Sequence, residues 1–241
     1  GSALFDKPAF KNVIVNGLIL AEDGRKMSKR LKNYPDPEEI MNTYGADALR
    51  LYLLSTPVVR GEDMRFSENA VKECMRGMLL PLWNAHSFFV TYALVDKWTP
   101  ARAAVDLRET LTNPLDRWIL SQLEATVADV TVAMDAYDLQ GAATRFNRCI
   151  DNLTNWYIRR SRRRFWKSRN DTDKGNAYST LYHVLITLCQ TASPFIPFIT
   201  EELWHQLGFG AEGSFIQDAS VVYDLKALGL EPEGSAAGEV A

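Results

Sequence analysis

Cysteine and histidine are scarce in this chain, three of each in 241 residues. Cys74, Cys149 and Cys189 are far apart, odd in number and set in apolar surroundings, which fits reduced core thiols better than a disulfide framework. His86, His183 and His205 form no His-x-x-x-His pair and none adjoins a cysteine pair, so no metal site is expected. Apolar runs approaching the roughly eighteen residues of a membrane span are missing, and no secretory leader is expected. A cytoplasmic protein without a membrane partner is expected. There is no internal repeat and no strong net charge. At −3 overall, the chain as a whole is no polyanion binder, and 46% hydrophobic with 24% charged residues is ordinary for a globular protein. Its length allows one large or two modest domains.

The charge that is present is unevenly spread. Residues 141–170 hold nine Lys/Arg against Asp151 alone, whereas 201–241 hold eight Asp/Glu against Lys226. One stretch attracts phosphate and the other repels it. A second concentration of cations lies near the start, in Asp23-Gly24-Arg25-Lys26-Met27-Ser28-Lys29-Arg30. Asp-Gly supplies a turn there, and the preceding 11–20 carries Val13, Val15 and Ile19 in a strand-like alternation. With no βαβ partner upstream, such a strand is expected to have an unpaired edge.

The order Lys26-Met27-Ser28-Lys29-Arg30 resembles the KMSKS loop of class I aminoacyl-tRNA synthetases. Its continuation, Leu31-Lys32-Asn33-Tyr34-Pro35-Asp36-Pro37, is similar to the isoleucine-specific members and argues against the valyl and leucyl ones. Arg30 stands where many members have Ser, which adds a cation. The resemblance implies ATP binding by Lys26, Met27, Ser28, Lys29 and Arg30. Lys29 would contact phosphate directly and Lys26 would act as a supporting clamp, the two carrying the catalytic role. It also implies Mg²⁺ with the ATP, isoleucine and tRNA(Ile) as substrates, and a monomer. The family's His-x-Gly-His motif and its editing insertion do not occur here, and Gly1-Ser2 ahead of Ala3 suggests an excised piece, expected to be inactive alone.

Downstream, the pattern is helical. Asp36-Pro37-Glu38-Glu39 is a helix start, Gly45 an end, and residues 46–54 a second helix before Ser55-Thr56-Pro57. Ser67 caps a long apolar-periodic stretch to about Val95, which Pro81 should bend or interrupt. Further helices are predicted over 115–134, 139–165, 175–193 and 198–207, with 96–114 as a loop. The fold class expected is mainly α: an antiparallel bundle preceded by a small α/β remnant of a Rossmann-like catalytic domain. The divisions are 1–66 for that remnant, 67–225 for the bundle and 226–241 for a linker or tail.

The helix over 139–165 carries the second chemical signal. Phe146, Cys149, Ile150, Leu153 and Tyr157 are spaced as a core stripe, while cations crowd the remainder. From Trp156 to Trp166, arginines interleave with aromatics, the combination that single-stranded RNA favours for phosphate contact and base stacking. Arg159, Arg160, Arg162, Arg163, Arg164 and Lys167 are the candidate RNA contacts. Trp156 and Tyr157 are expected in the core, because helical aromatics more often pack than stack on bases. Together with Pro194-Phe195-Ile196-Pro197-Phe198, this helix resembles the anticodon-binding bundle of the same family. A free-standing RNA-binding module stays open as an alternative, although it has no use for the Lys26–Arg30 loop.

Overall fold

The computed structural model describes residues 2–100, 111–167 and 171–208. The expected tail at 226–241 lies outside them, as do 101–110 of the expected loop. The described chain is mostly helical. Strand β1 (Ile19–Leu20) is followed by helices α1 (Pro37–Tyr44) and α2 (Ala46–Leu54), then by strand β2 (Met64–Arg65). Helix α3 (Glu68–Val95) is continuous, and α4 is Pro114–Asp135. Helix α5 comprises residues 139–165, and α6 (Thr172–Ala192) and α7 (Pro197–Leu207) complete the bundle. Side chains from Ile40 to Leu207 form one hydrophobic core, so the small N-terminal part and the bundle are packed as one body.

Local chemistry sets the helix ends. Asp36 accepts from the Glu38 N–H ahead of Pro37, and Gly45 closes α1 through its N–H to the Met41 carbonyl. Ser67, Asn113, Asp138 and Asp171 cap α3, α4, α5 and α6 in the same manner, each satisfying a first-turn N–H that has no partner inside the helix. Helix α6 begins at Thr172, three residues before the expected start, because the Asp171 cap lies ahead of the apolar stripe.

One expectation is corrected. The strand-like stretch 11–20 yields only Ile19–Leu20 as strand, and that strand is not an orphan. It pairs in parallel with β2, Ile19 opposite Met64 and Leu20 opposite Arg65. Val13, Ile14 and Val15 remain exposed, because no neighbouring strand lies beside them among the described residues. Where this segment does meet the body, it meets it closely: Gly17 donates to the Val58 carbonyl at 2.8 Å, and a Cβ there would fall 1.9 Å from the Glu62 carbonyl oxygen. At Pro81 the interruption is local: the α pattern gives way just ahead of it, and α3 continues to Val95. The carbonyl that Pro81 cannot engage belongs to Gly77, inside a π segment (Met75–Leu79) where pairing has already shifted to i→i+5, as in the Leu80 N–H bond to the Met75 carbonyl. By length and mean hydropathy α3 could cross a membrane, but Val71, Met78, Leu82, Ala85, Phe89 and Ala93 bury its inner face in the core.

Among the described residues, several polar contacts join the N-terminal part to the bundle, the Asn12 amide donating to the Tyr137 hydroxyl at 3.1 Å among them. Asp47, buried at the start of α2, accepts from the Phe198 and Ile199 N–H groups at 3.2 and 2.6 Å and so caps α7 from a distant part of the chain. Arg50 donates to the Pro194 carbonyl at 3.0 Å, and Arg60 pairs with Asp138 at 2.5 Å. Desolvation raises the Asp47 carboxyl, against the two backbone N–H groups that favour its charge.

His86 lies inside α3, 1% exposed, with no hydrogen-bond partner for either ring nitrogen among the described residues. Burial depresses its pKa from 6.5 to about 4, and nearby Glu202 only partly opposes this. The unfolded chain therefore binds a proton that the folded protein refuses over this range, and stability falls as pH is lowered from about 6.5 toward 4. His86→Leu should flatten that part of the stability profile, measured by urea unfolding at half-unit pH steps.

Candidate functional site

The cationic loop is built by a tight turn and a short wind of chain. The Ala21 N–H bonds to the Arg25 carbonyl at 2.9 Å and the Gly24 N–H to the Ala21 carbonyl at 2.8 Å, with Gly24 at φ 82°. That left-handed conformation suits glycine. Leu20 then bridges back to Lys26. Arg25 is committed to Asp23 at 2.6 Å, and its hydrogen bonds hold the Asp23 carboxyl below the usual range. After Ser28 the chain curls so that both the Leu31 and Lys32 N–H groups reach the Ser28 carbonyl, at 3.1 and 3.0 Å.

Lys26, Lys29 and Arg30 are exposed, and none makes an ion pair among the described residues. Met27 and Ser28 are half-buried. Met27 borders a cleft of about 460 Å³ that Ala21, Glu22, Asn33, Tyr34 and Phe66 also line. Exposed cations without carboxylate partners are a donor set fit for a polyphosphate. Sequence reasoning singled out the cations but not Asn33, whose side chain bonds to Ser28 and Lys26 on either side of Met27.

The second candidate surface lies on α5. Between Leu139–Asp151 and Arg159–Phe165 runs a π segment, Asn152–Ile158. Cys149, Leu153, Tyr157, Ser161 and Phe165 are buried at every fourth position. Residues four apart on an α-helix are offset by about 40°, so this stripe would spiral away from the core. The wider turns of the π segment offset the drift and keep it inward. Arg145, Arg148, Asn155, Arg159, Arg160, Arg162 and Arg163 are thereby left exposed.

The candidate RNA contacts divide on this geometry. Arg159, Arg160, Arg162 and Arg163 face solvent without an ion pair among the described residues. Lys167 is exposed but engaged by Asp171 at 3.2 Å and Asp173 at 3.0 Å, and these raise its pKa. Arg164 is a correction: it is 8% exposed and faces inward. Its Nη1 and Nη2 donate to the two oxygens of buried Asp116 at 2.6 and 2.7 Å, and Nη2 also reaches Asp173. Tyr157 donates to the same Asp116 at 2.7 Å. Burial opposes the guanidinium charge, but the hydrogen bonds and charge of Asp116 outweigh it and hold Arg164 protonated. Burial first, then Asp116, pushes the Tyr157 hydroxyl well above its usual range. The reason for the difference from Arg163 is position: Arg164 lies beside Phe165 on the buried stripe.

The two aromatics also separate. Tyr157 is fully buried, as expected, but Trp156 is 48% exposed, with the Arg160 guanidinium 4.6 Å from its ring centroid. A flat ring bordered by a cation is a surface on which an unpaired base can stack.

Comparison with known proteins matches these two regions separately. Residues 1–67 match the family model "tRNA synthetases class I (I, L, M and V)", and 116–233 match "Anticodon-binding domain of tRNA ligase". The chain belongs to the class I tRNA synthetases. The isoleucine–tRNA ligase of Treponema denticola is 53% identical over 86% of the chain, and that of Protochlamydia amoebophila 51% identical over 86%. The chain spans about a fifth of the length of these curated relatives. Among solved structures, the fold is similar to Mycobacterium tuberculosis methionyl-tRNA synthetase in complex with methionyl-adenylate. The TM-score is 0.64 at 20% identity, covering 84% of this chain and 40% of that one. The LeuRS–tRNA–LeuAMS ternary complex of Agrobacterium radiobacter K84 gives a TM-score of 0.60 at 22% identity, covering 81% and 22%.

Asp116→Ala should lower stability by about 3–5 kcal/mol, because it leaves Arg164 buried without its main partner. Arg163→Ala, on the exposed side, should stay within about 0.5 kcal/mol of the unaltered chain. Chemical unfolding of the two variants side by side checks both.

Proposed function

We propose that this chain is the part of an isoleucine–tRNA ligase that brings a phosphate-binding loop and an anticodon-side RNA surface together on one body. The observation that carries this is the pairing of three uncommitted loop cations, Lys26, Lys29 and Arg30, with an outward arginine face on α5. Similarity to isoleucine–tRNA ligases at 51–53% identity supports the choice of amino acid. The division is proposed near residue 67, with 1–66 as the end of the catalytic domain, 67–225 as the anticodon-binding bundle and 226–241 as a linker. The complete ligase would act in the cytoplasm as a monomer on isoleucine, ATP and tRNA(Ile).

Activation moves an isoleucine carboxylate oxygen onto the α-phosphorus of ATP and expels pyrophosphate, so charge builds on phosphate oxygens as the step proceeds. Lys29 would meet that charge directly, with Lys26 as a second clamp. Cations aimed at charge that develops only in the transition state speed the step without tightening the ground state equally. Ser28 and Arg30 supply further donors, and Met27 seats the loop beside the cleft. Mg²⁺ would come with the nucleotide. Among the described residues no group of three or more His, Cys, Asp or Glu gathers to hold it, and this ion commonly rides on substrate phosphates.

On α5, Arg159, Arg160, Arg162 and Arg163 would meet phosphates and Trp156 would stack with an unpaired base. Lys167 would join them only by leaving its two aspartates.

In a complete ligase, Lys29→Ala should slow ATP–pyrophosphate exchange by about 10²–10³, the scale of one lost oxyanion-type donor. Unchanged exchange would exclude the phosphate role. For the RNA face, four phosphate contacts imply that log affinity for tRNA falls against log salt with a slope of about −3, at roughly −0.7 per single-strand contact. A filter-binding titration reads this, and a flat line removes α5 from the RNA interface.

A further inference from the structure

We propose that Asn33 is the positioning residue of the cationic loop, a clip that sets where Lys26 and Lys29 stand relative to one another. The inference rests on the phosphate reading above. Asn33 Oδ1 accepts the Ser28 N–H at 2.9 Å, and Asn33 Nδ2 donates to the Lys26 carbonyl at 3.2 Å. One rigid planar amide thus grips the backbone on both sides of Met27, which a side chain carrying only donors or only acceptors cannot do. Among the described residues, no other side chain hydrogen-bonds the backbone of residues 26–29.

The surrounding chain is shaped to deliver this amide. The double use of the Ser28 carbonyl by Leu31 and Lys32 folds the chain back in a single wind, and Lys32 completes the reversal at φ 47°. That is the left-handed region, uncommon for a residue with a Cβ. The strain sits immediately before the residue that it presents. Backbone strain held at a loop of exposed cations fits a site where geometry has been favoured over local relaxation.

Asn33 itself is half-buried and borders the cleft beside Met27, whereas Lys26 and Lys29 are exposed. Its consequence for chemistry is one of placement. Two exposed lysines repel each other and are free to swing on long side chains, so the backbone must define their bases. If those bases drift by about 1 Å, phosphate stabilisation can fall by about a hundredfold.

The test uses a complete ligase carrying Asn33→Ala, Asn33→Asp or Lys29→Ala, assayed by ATP–pyrophosphate exchange. Asn33→Ala removes both bonds and should lower kcat about 10- to 100-fold, with the KM for isoleucine and Tm unchanged. Asn33→Asp keeps the acceptor for Ser28 but sets a second acceptor against the Lys26 carbonyl, and should be slower than the alanine variant near neutral pH. Lowering the pH protonates that carboxyl and lets it donate to Lys26, so Asn33→Asp should recover relative to the unaltered enzyme while Asn33→Ala does not. Normal exchange in both Asn33 variants beside an impaired Lys29→Ala overturns the inference and leaves the phosphate reading intact. Normal exchange in Lys29→Ala overturns both. A loss that tracks a fall in Tm, or an Asn33→Asp deficit independent of pH, overturns the positioning role.

Discussion

Asp116 is buried at the start of α4, and a buried carboxylate must find partners or lose its charge. It finds Arg164 through two parallel hydrogen bonds and Tyr157 through a third, both on α5, and Arg164 carries the network on to Asp173 at the start of α6. Three helices are thus registered by one acid. The rotation of α5 follows from it: with Tyr157 and Arg164 held inward, the positions that carry Arg159, Arg162 and Arg163 on the opposite side have to point out. The cationic face therefore depends on an interior ion pair, and the π segment supplies the extra width that lets the inward stripe persist along the helix.

Beside that interior pair, Lys174 is 2% exposed and is bonded to Asp96 at 2.5 Å and to the Lys167 carbonyl at 2.8 Å, while Tyr178 donates to the same Asp96. Acids at helix ends thus neutralise the buried cations Arg164 and Lys174. Arg60 and Arg50 work at the other end, where they tie the N-terminal part to Asp138 and Pro194, with Asp47 capping α7. These contacts couple the part that carries the cationic loop to the part that carries the arginine face. Movement of α2 relative to α7 would cost the capping bonds, so the two surfaces are held as parts of one frame.

Much of the helical layout was legible because it is governed by local rules. Asp36 and Pro37, Gly45, Ser67, Asn113 and Asp138 act through residues within a few positions of themselves, and the apolar spacing of α3 to α7 is visible without a fold. The strand was misjudged for the opposite reason: pairing of Ile19 with Met64 joins residues distant in the chain, and the exposed Val13 to Val15 alternate just as a strand does. Trp156 and Tyr157 are adjacent aromatics with one expectation between them, and only packing separated them.

The sequence by itself determined the family, through the run from Asp23 to Pro37 and the aromatic and basic composition around Trp156, because a signature depends on residue order alone. It also determined that a helical bundle would form, since periodic apolar residues and capping side chains act at short range. Only the tertiary structure decided which cations are available. Arg163 and Arg164 are neighbours of identical type, yet one faces water and the other is consumed by Asp116, forty-eight residues earlier in the chain. Burial and ion pairing are properties of what surrounds a side chain in space. No pattern along α5 alone contains the acid that claims Arg164.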